Sequence, residues 1–126
     1  MKKIVVFSLW NQTEPINKGD KYKCRPIVYN NGAIENAKLV KKFYPDWIAR
    51  FYVNNTVPLD VQQTLKDEGA ELIDMTGSKV PPMMQRFLPC GESDIECMIC
   101  RDTDSRINQR EVDATNDWLK SGKTLH

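Results

Sequence analysis

The sequence predicts an α/β fold in which a mostly parallel sheet is flanked by helices. Short apolar runs rich in β-branched residues alternate with segments whose apolar residues recur every three or four positions. The first of these runs, Ile4–Leu9, is continuous rather than alternating, which is typical of a central parallel strand buried on both faces. Strands that alternate with helices predict a layered, Rossmann-like sheet with right-handed crossover connections.

Length, composition and charge predict a single domain over residues 1–126. A chain of 126 residues can form one domain core and is too short for two ordinary domains. The formal net charge of +1 gives no electrostatic reason to expect nucleic acid or an anionic membrane as a partner. No stretch approaches the roughly 20 apolar residues of a membrane span. We therefore expect a cytoplasmic protein with no membrane span and no nucleic-acid partner.

The first half of the chain predicts two strands and the helix between them. Ile4–Leu9 is a continuous apolar run and predicts a central first strand. Residues 11–31 are polar and predict a long loop at the carboxyl end of that strand, which is either functional or a solvated surface excursion. Gly32–Tyr44 has helical spacing and is followed by Pro45, which ends the helix. Trp47–Val53 is the predicted second strand.

The middle of the chain predicts a helix, a short strand and an irregular connection. Leu59–Glu68 is the predicted helix, with Gly69 as its C-terminal cap. Glu71–Met75 predicts the third strand. Residues 76–82 contain glycine and two prolines and predict a loop, and Met83–Leu88 predicts one or two helical turns.

The last third predicts a strand followed by a well-marked helix. Asp94–Cys100 is the predicted fourth strand. Gln109–Lys120 is the predicted final helix, with Asn108 as N-cap and Glu111 completing a capping box.

The hexapeptide Arg101-Asp102-Thr103-Asp104-Ser105-Arg106 carries the main functional pattern of the sequence. It follows a predicted buried strand and precedes a helix, so both acids are expected in the crevice at the carboxyl edge of the sheet, where open α/β folds bind ligands. Oxygen ligands of this kind favour Mg²⁺ or Mn²⁺, and the open coordination positions suit phosphate oxygens. The arginines suit the same phosphate. Alternatively, the acids only pair with the neighbouring arginines and cap the turn.

The four cysteines do not predict a zinc site. Cys97 and Cys100 form a single C-x-x-C, and the only histidine is His126. Residues three apart on a strand also face opposite ways. We expect Cys24, Cys90, Cys97 and Cys100 to be mostly buried thiols of a reducing cytosol.

Several stretches share their order and spacing with a known family. They are Phe7–Trp10, Asn30–Ala37, Tyr44–Trp47, Arg50–Tyr52, Arg86-Phe87, Arg101–Arg106, Arg110-Glu111 and Trp118–Lys123 with His126. In these stretches the chain resembles a family of GT-A-type glycosyltransferases found in large algal viruses and in scattered bacteria and eukaryotes. The resemblance covers nearly the whole chain, and its most specific part runs from Arg101 to His126.

The resemblance implies a transferase that uses a nucleotide-diphosphate sugar as donor and a carbohydrate or glycan as acceptor. Asp104 would then be the direct ligand of a Mn²⁺ or Mg²⁺ ion on the diphosphate, and Asp102 its partner near the metal, ribose or sugar. Ser8, Leu9 and Trp10 would lie by the nucleoside, although ordinary packing explains Trp10 equally well.

Under the same resemblance, Arg101 or Arg106 would share the charge that develops on the leaving diphosphate. The resemblance assigns no catalytic base, and a viral member would act in the host cytoplasm.

The chain also departs from that family. Its members continue past the position of His126 into an acceptor-binding half, so we expect the donor-binding part alone, truncated at the C-terminus. Apolar surface left exposed by this truncation would favour self-association.

Two other functions remain open. One is a non-catalytic module that binds a nucleotide or a partner chain. The other is a phosphohydrolase of the haloacid-dehalogenase type. It is disfavoured because such enzymes carry the acids after the first strand and follow them with Thr or Val, where this chain has Arg106.

Overall fold

The strands form one parallel sheet, as predicted. The computed structural model describes residues 2–10, 26–103 and 106–122, without the side chains of residues 26–29, 82 and 83. Within these ranges the sheet has four strands in the order β3-β2-β1-β4, and every neighbouring pair is parallel. The strands are β1 (Lys2–Leu9), β2 (Ile48–Val53), β3 (Glu71–Asp74) and β4 (Ile95–Arg101). The α/β, Rossmann-like fold is therefore confirmed.

A helical segment follows each strand. The segments are α1 (Pro26–Phe43), α2 (Leu59–Asp67), the single turn α3 (Pro82–Gln85) and α4 (Gln109–Ser121), with a 3₁₀ turn at Leu88–Gly91. Across the described ranges, none of the helices combines the length and apolar character needed to cross a membrane.

The first helix begins earlier than the sequence predicted. The structure starts α1 at Pro26, whereas residues 11–31 were predicted to be a loop and Gly32 the first helical residue. Proline is tolerated in the first turn of a helix because its missing N–H needs no partner there. Asn30 and Ala33 are buried, so packing outweighs the weak helix propensity of the Asn-Asn-Gly run. The rest of the predicted loop lies outside the described residues.

One face of the sheet carries α1, α2 and α4. The rings of Phe7 and Phe51 stack in this layer, with centroids 4.6 Å apart. The hydroxyls of Tyr44 and Thr115 share a buried hydrogen bond of 3.1 Å, which joins the end of α1 to α4. The buried residues of this layer are Val5, Phe7, Leu9, Ala33, Ala37, Val40, Tyr44, Ala49, Phe51, Val53, Val57, Leu65, Ile107 and Val112.

The opposite face is covered by the connection between β3 and β4. Ile4, Val6 and Tyr52 form its buried apolar centre. Beside them Arg50, whose side chain is 2% exposed, binds Glu71 at 3.0 Å and, at 2.7 Å, a glutamate of the connection (Glu92). Burial alone would lower the pKa of Arg50, but hydrogen bonds with Tyr52 and the two carboxylates raise it above its usual range. The pair with Glu71 joins β2 to β3, and the pair with Glu92 holds the connection against the sheet.

The predicted caps are present at two helix ends. The Asn108 side chain accepts a hydrogen bond of 3.1 Å from the backbone N–H of Glu111. Gly69 follows α2 with a φ of +84°, a left-handed conformation that glycine adopts without strain. The N-cap at Asn108 and the glycine after α2 are therefore confirmed, whereas the Glu111 carboxylate, predicted to complete the capping box, binds Arg101.

Candidate site at the carboxyl edge between β1 and β4

The carboxyl ends of β1 and β4 lie at a topological switch point. The helix that follows β1, α1, packs on one face of the sheet, whereas the connection leading to β4 crosses the other face. The strand order also reverses between β1 and β4, and this is the position at which open α/β sheets form a ligand crevice. Phe7 pairs with Arg101 in the parallel register, so the end of β1 and Trp10 lie beside Asp102 and Thr103, which follow β4.

Helix α1 packs unusually closely against the turn that follows β4. A Cβ atom built on Gly32 would lie 1.8 Å from the carbonyl oxygen of Thr103 and 3.0 Å from Nη1 of Arg106. One helical turn further on, the side-chain oxygen of Asn36 accepts a buried hydrogen bond of 3.2 Å from the backbone N–H of Ile107. Glycine and asparagine on one helix face thus fix the path of the turn between the predicted acids and α4.

Asp102 is paired with an arginine from outside its own motif. Its carboxylate binds Nη1 of Arg86, in the connection between β3 and β4. The same Nη1 lies 3.4 Å from the carbonyl oxygen of Arg101, and the backbone N–H of Arg86 donates to the Ser8 hydroxyl at 3.0 Å. The Asp102 side chain remains 67% exposed. The alternative predicted from the sequence, in which the acids pair only with the neighbouring arginines, is therefore wrong for Asp102.

The two arginines of the hexapeptide differ in their surroundings. Arg101 forms an ion pair with Glu111 on α4, and its side chain is only 11% exposed. Arg106 is exposed, and its Nη1 lies 3.5 Å from the Thr103 carbonyl oxygen. Arg106 is thus the more accessible of the two for an incoming anion.

The other predicted site residues fall into three groups. Ser8 reaches the edge and binds Arg86, and Trp10 is half-buried just beyond β1. The Leu9 side chain is buried in the core below α1, so only its backbone is available at the edge. Asp104, the predicted direct metal ligand, lies outside the described residues.

The described residues fit a hard divalent cation in part. The Asp102 carboxylate is an oxygen ligand of the kind that Mg²⁺ and Mn²⁺ prefer, and it is reached from solvent. Within residues 2–10, 26–103 and 106–122, no group of three or more His, Cys, Asp or Glu side chains is placed to hold a metal ion. Such an ion would need Asp104, water or ligand oxygens to complete its coordination.

Some buried polar atoms near this edge have no hydrogen-bond partner in the described part of the chain. They include Oδ1 of Asn30, in the first turns of α1, and Nε of Arg86. Buried polar atoms are normally hydrogen-bonded, so each of these atoms calls for a further partner such as water or an ion. The Arg86 atom is a donor directly beside the Asp102 carboxylate.

The cysteines divide between surface and partly buried positions. Cys90 is exposed, which makes the expectation of buried thiols wrong for that residue, and Cys97 and Cys100 are half-buried. All three are free thiols, and Cys24 lies outside the described residues. The Cys100 thiol lies 3.6 Å from the backbone oxygen of Arg86, and its burial raises its pKa.

Sequence reasoning did not assign Arg86 or Gly32 to the site. Arg86 follows a Pro-Pro-Met-Met run with no regular pattern, so nothing local shows which strand end it approaches. Gly32 did carry a signal, because glycine is unfavourable inside a helix and permits a close approach of the backbone to its neighbours. A prediction that starts the helix at Gly32 places the glycine at a helix end, where it needs no such explanation.

Comparison with protein-family models, with curated proteins and with solved structures finds no match to this chain. The resemblance to GT-A-type glycosyltransferases stays a prediction, so the geometry of the site is the main guide to its function.

Proposed function

We propose that the protein is a metal-dependent glycosyltransferase, or the donor-binding portion of one, that uses a nucleotide-diphosphate sugar. The observation that carries the proposal is the position of Asp102 at the switch point between β1 and β4, exposed and directly after a strand. Asp102 and Asp104 would hold Mn²⁺ or Mg²⁺, and the Ser8–Trp10 segment would lie by the nucleoside.

The chemistry is set by charge. Breaking the bond between the sugar and the diphosphate leaves negative charge on the departing oxygen, and a bound divalent ion supplies electrostatic stabilisation there. Arg106 is exposed beside the turn, and its guanidinium would stabilise the same negative charge on the departing diphosphate. Attack by a glycan hydroxyl also needs a base in an inverting enzyme. Glu111, a carboxylate of the neighbouring helix, is engaged by Arg101.

That engagement favours a second candidate function, a nucleotide-binding module without turnover. A site whose glutamate forms an ion pair with its own arginine can bind an anionic ligand without providing a base. The two candidates share the ligand and differ only in chemistry.

Calorimetric titration with a panel of nucleoside diphosphates, with and without Mn²⁺, tests the shared site. We expect binding that requires the cation and that Asp104→Asn abolishes. Asp46→Asn, in an exposed turn before β2, is the matched control and should bind like the wild type. Equal affinity in Asp104→Asn and the wild type would contradict the assignment.

Donor turnover then separates the two candidates. Release of free sugar or transfer to a saccharide acceptor, lost in Asp104→Asn, supports the transferase. Cation-dependent binding without turnover supports the module.

A further inference from the structure

We propose that Arg86 binds the diphosphate of the donor, and that Asp102 holds its guanidinium in place until a divalent cation takes over the carboxylate. This inference rests on the proposed function, because it concerns the same ligand and the same cation. It adds a residue from a different part of the chain and an exchange of partners within the site.

The backbone at Arg86 is fixed to the carboxyl edge. Its N–H donates to the Ser8 hydroxyl on β1 at 3.0 Å. The preceding Gln85 is buried, and its side-chain amide donates to the Val80 carbonyl oxygen at 3.1 Å. The backbone of Arg86 is therefore fixed beside the end of β1, while its side chain can still exchange the Asp102 carboxylate for another hydrogen-bond acceptor.

The guanidinium has hydrogen-bonding capacity that its present partners leave unused. Nη1 serves both the Asp102 carboxylate and the more distant Arg101 carbonyl oxygen. Nε is buried and has no acceptor within the described residues. A phosphate group can accept from Nε and a terminal nitrogen at once, because its oxygens match the guanidinium fork. Once Asp102 releases the guanidinium and the side chain turns toward solvent, a diphosphate would satisfy this donor together with a terminal nitrogen.

The ion pair between Arg86 and Asp102 is exposed enough to be exchanged. The Asp102 side chain is 67% exposed and that of Arg86 25%. Ion pairs in contact with water are weak, so a divalent cation competes effectively for such a carboxylate. Arg101 offers a contrast: it is 11% exposed and held by Glu111, so it is less able to change partner.

Removal of Arg86 should have opposite effects on the two ligands. Without nucleotide, Arg86→Gln should bind Mn²⁺ about two- to fivefold more tightly than the wild type, because a competing cation has left Asp102. With Mn²⁺ saturating, the same variant should bind a nucleoside diphosphate at least about tenfold more weakly, because a charge-assisted bidentate contact is lost. Electron paramagnetic resonance of free Mn²⁺ measures the first affinity and calorimetry the second.

Two further variants control for charge and folding. Lys79→Gln removes the same charge from an exposed position of the same connection and should leave both affinities unchanged. Arg86→Lys keeps the charge without the fork, so it should keep wild-type Mn²⁺ affinity and still lose diphosphate affinity. Should Arg86→Gln fail to fold, this lysine variant tests the inference alone.

Opposite shifts in Arg86→Gln support the exchange. Two weakened affinities would show a purely structural role, and two unchanged affinities would show no role; either result overturns the inference. Both comparisons require a wild type that binds, so failure of the proposed function is recognised first and separately, as a wild type that takes up neither Mn²⁺ nor nucleoside diphosphate.

Discussion

Substituting Gly32 with alanine tests how the site is built. Alanine is the better helix former by about 1 kcal/mol, so a free helix would gain stability from Gly32→Ala. In this protein the added methyl group would lie 1.8 Å from the Thr103 carbonyl oxygen, well inside the 3.0 Å below which such contacts essentially never occur. The obstacle is backbone, so no side-chain rotation relieves it.

The magnitude reflects these opposing effects. Relief requires α1 and the turn at Thr103 to separate by about 1.2 Å, from 1.8 to 3.0 Å. Overpacking of this kind costs about 1–3 kcal/mol, which exceeds or cancels the gain in helix propensity. We expect a net loss of about 0–2 kcal/mol in the free energy of unfolding. Cation-dependent nucleotide binding should fall more sharply, because Asp102 precedes the displaced residue.

Urea unfolding followed by circular dichroism measures the stability, and calorimetry the nucleotide affinity. Gly91→Ala is the matched control, because a Cβ atom at Gly91 meets nothing within 4 Å. The control should change neither quantity appreciably. A Gly32→Ala protein that is about 1 kcal/mol more stable than the wild type, with unchanged nucleotide affinity, would refute the close approach of α1 to the turn.

Three other predictions concern the framework. Arg50→Ala should lower the free energy of unfolding by about 2–4 kcal/mol, because packing and both ion pairs are lost. Glu92→Gln should cost less than about 1 kcal/mol, because that carboxylate is partly solvated. Urea unfolding of the two variants measures the difference. Burial raises the pKa of Tyr44, so its phenol ionises first in the unfolded chain, and the free energy of unfolding should fall above about pH 10. Tyr44→Phe should flatten that fall and should cost about 1 kcal/mol at neutral pH through the lost hydrogen bond to Thr115. A pH profile of the variant that runs parallel to that of the wild type would contradict the assignment. Exposed Cys90 should react with maleimide at neutral pH well before Cys100, whose pKa burial raises; mass spectrometry gives the order, and simultaneous labelling would contradict it.

Features set by local pattern were predictable from the sequence. The central strand Ile4–Leu9 is recognisable because it is apolar on both faces, and its burial on both faces confirms this. The Asn108 cap is recognisable because its partner is three residues away. The position of Asp102 at a sheet edge followed from its place after a strand, since parallel strands share a carboxyl edge.

Features set by distant contacts were not predictable. The start of α1 depends on the burial of Asn30 and Ala33, and this packing involves distant residues that helix propensity does not reflect. The pairing of Arg86 with Asp102 joins residues 16 positions apart through a connection that crosses the sheet. Its geometry is fixed by Ser8, whose separation of 78 positions from Arg86 leaves no signal in the local sequence.

Locating the cation is the most direct test of a metal site at this edge of the sheet. Paramagnetic Mn²⁺ added in substoichiometric amounts to the isotope-labelled protein broadens the amide signals nearest to its site. We predict that the signals of Leu9, Arg86 and Thr103 broaden first, that the α2 signals stay sharp, and that Asp104→Asn removes the effect. Broadening centred on the acidic residues of α2, or unchanged in Asp104→Asn, would contradict a cation site between β1 and β4.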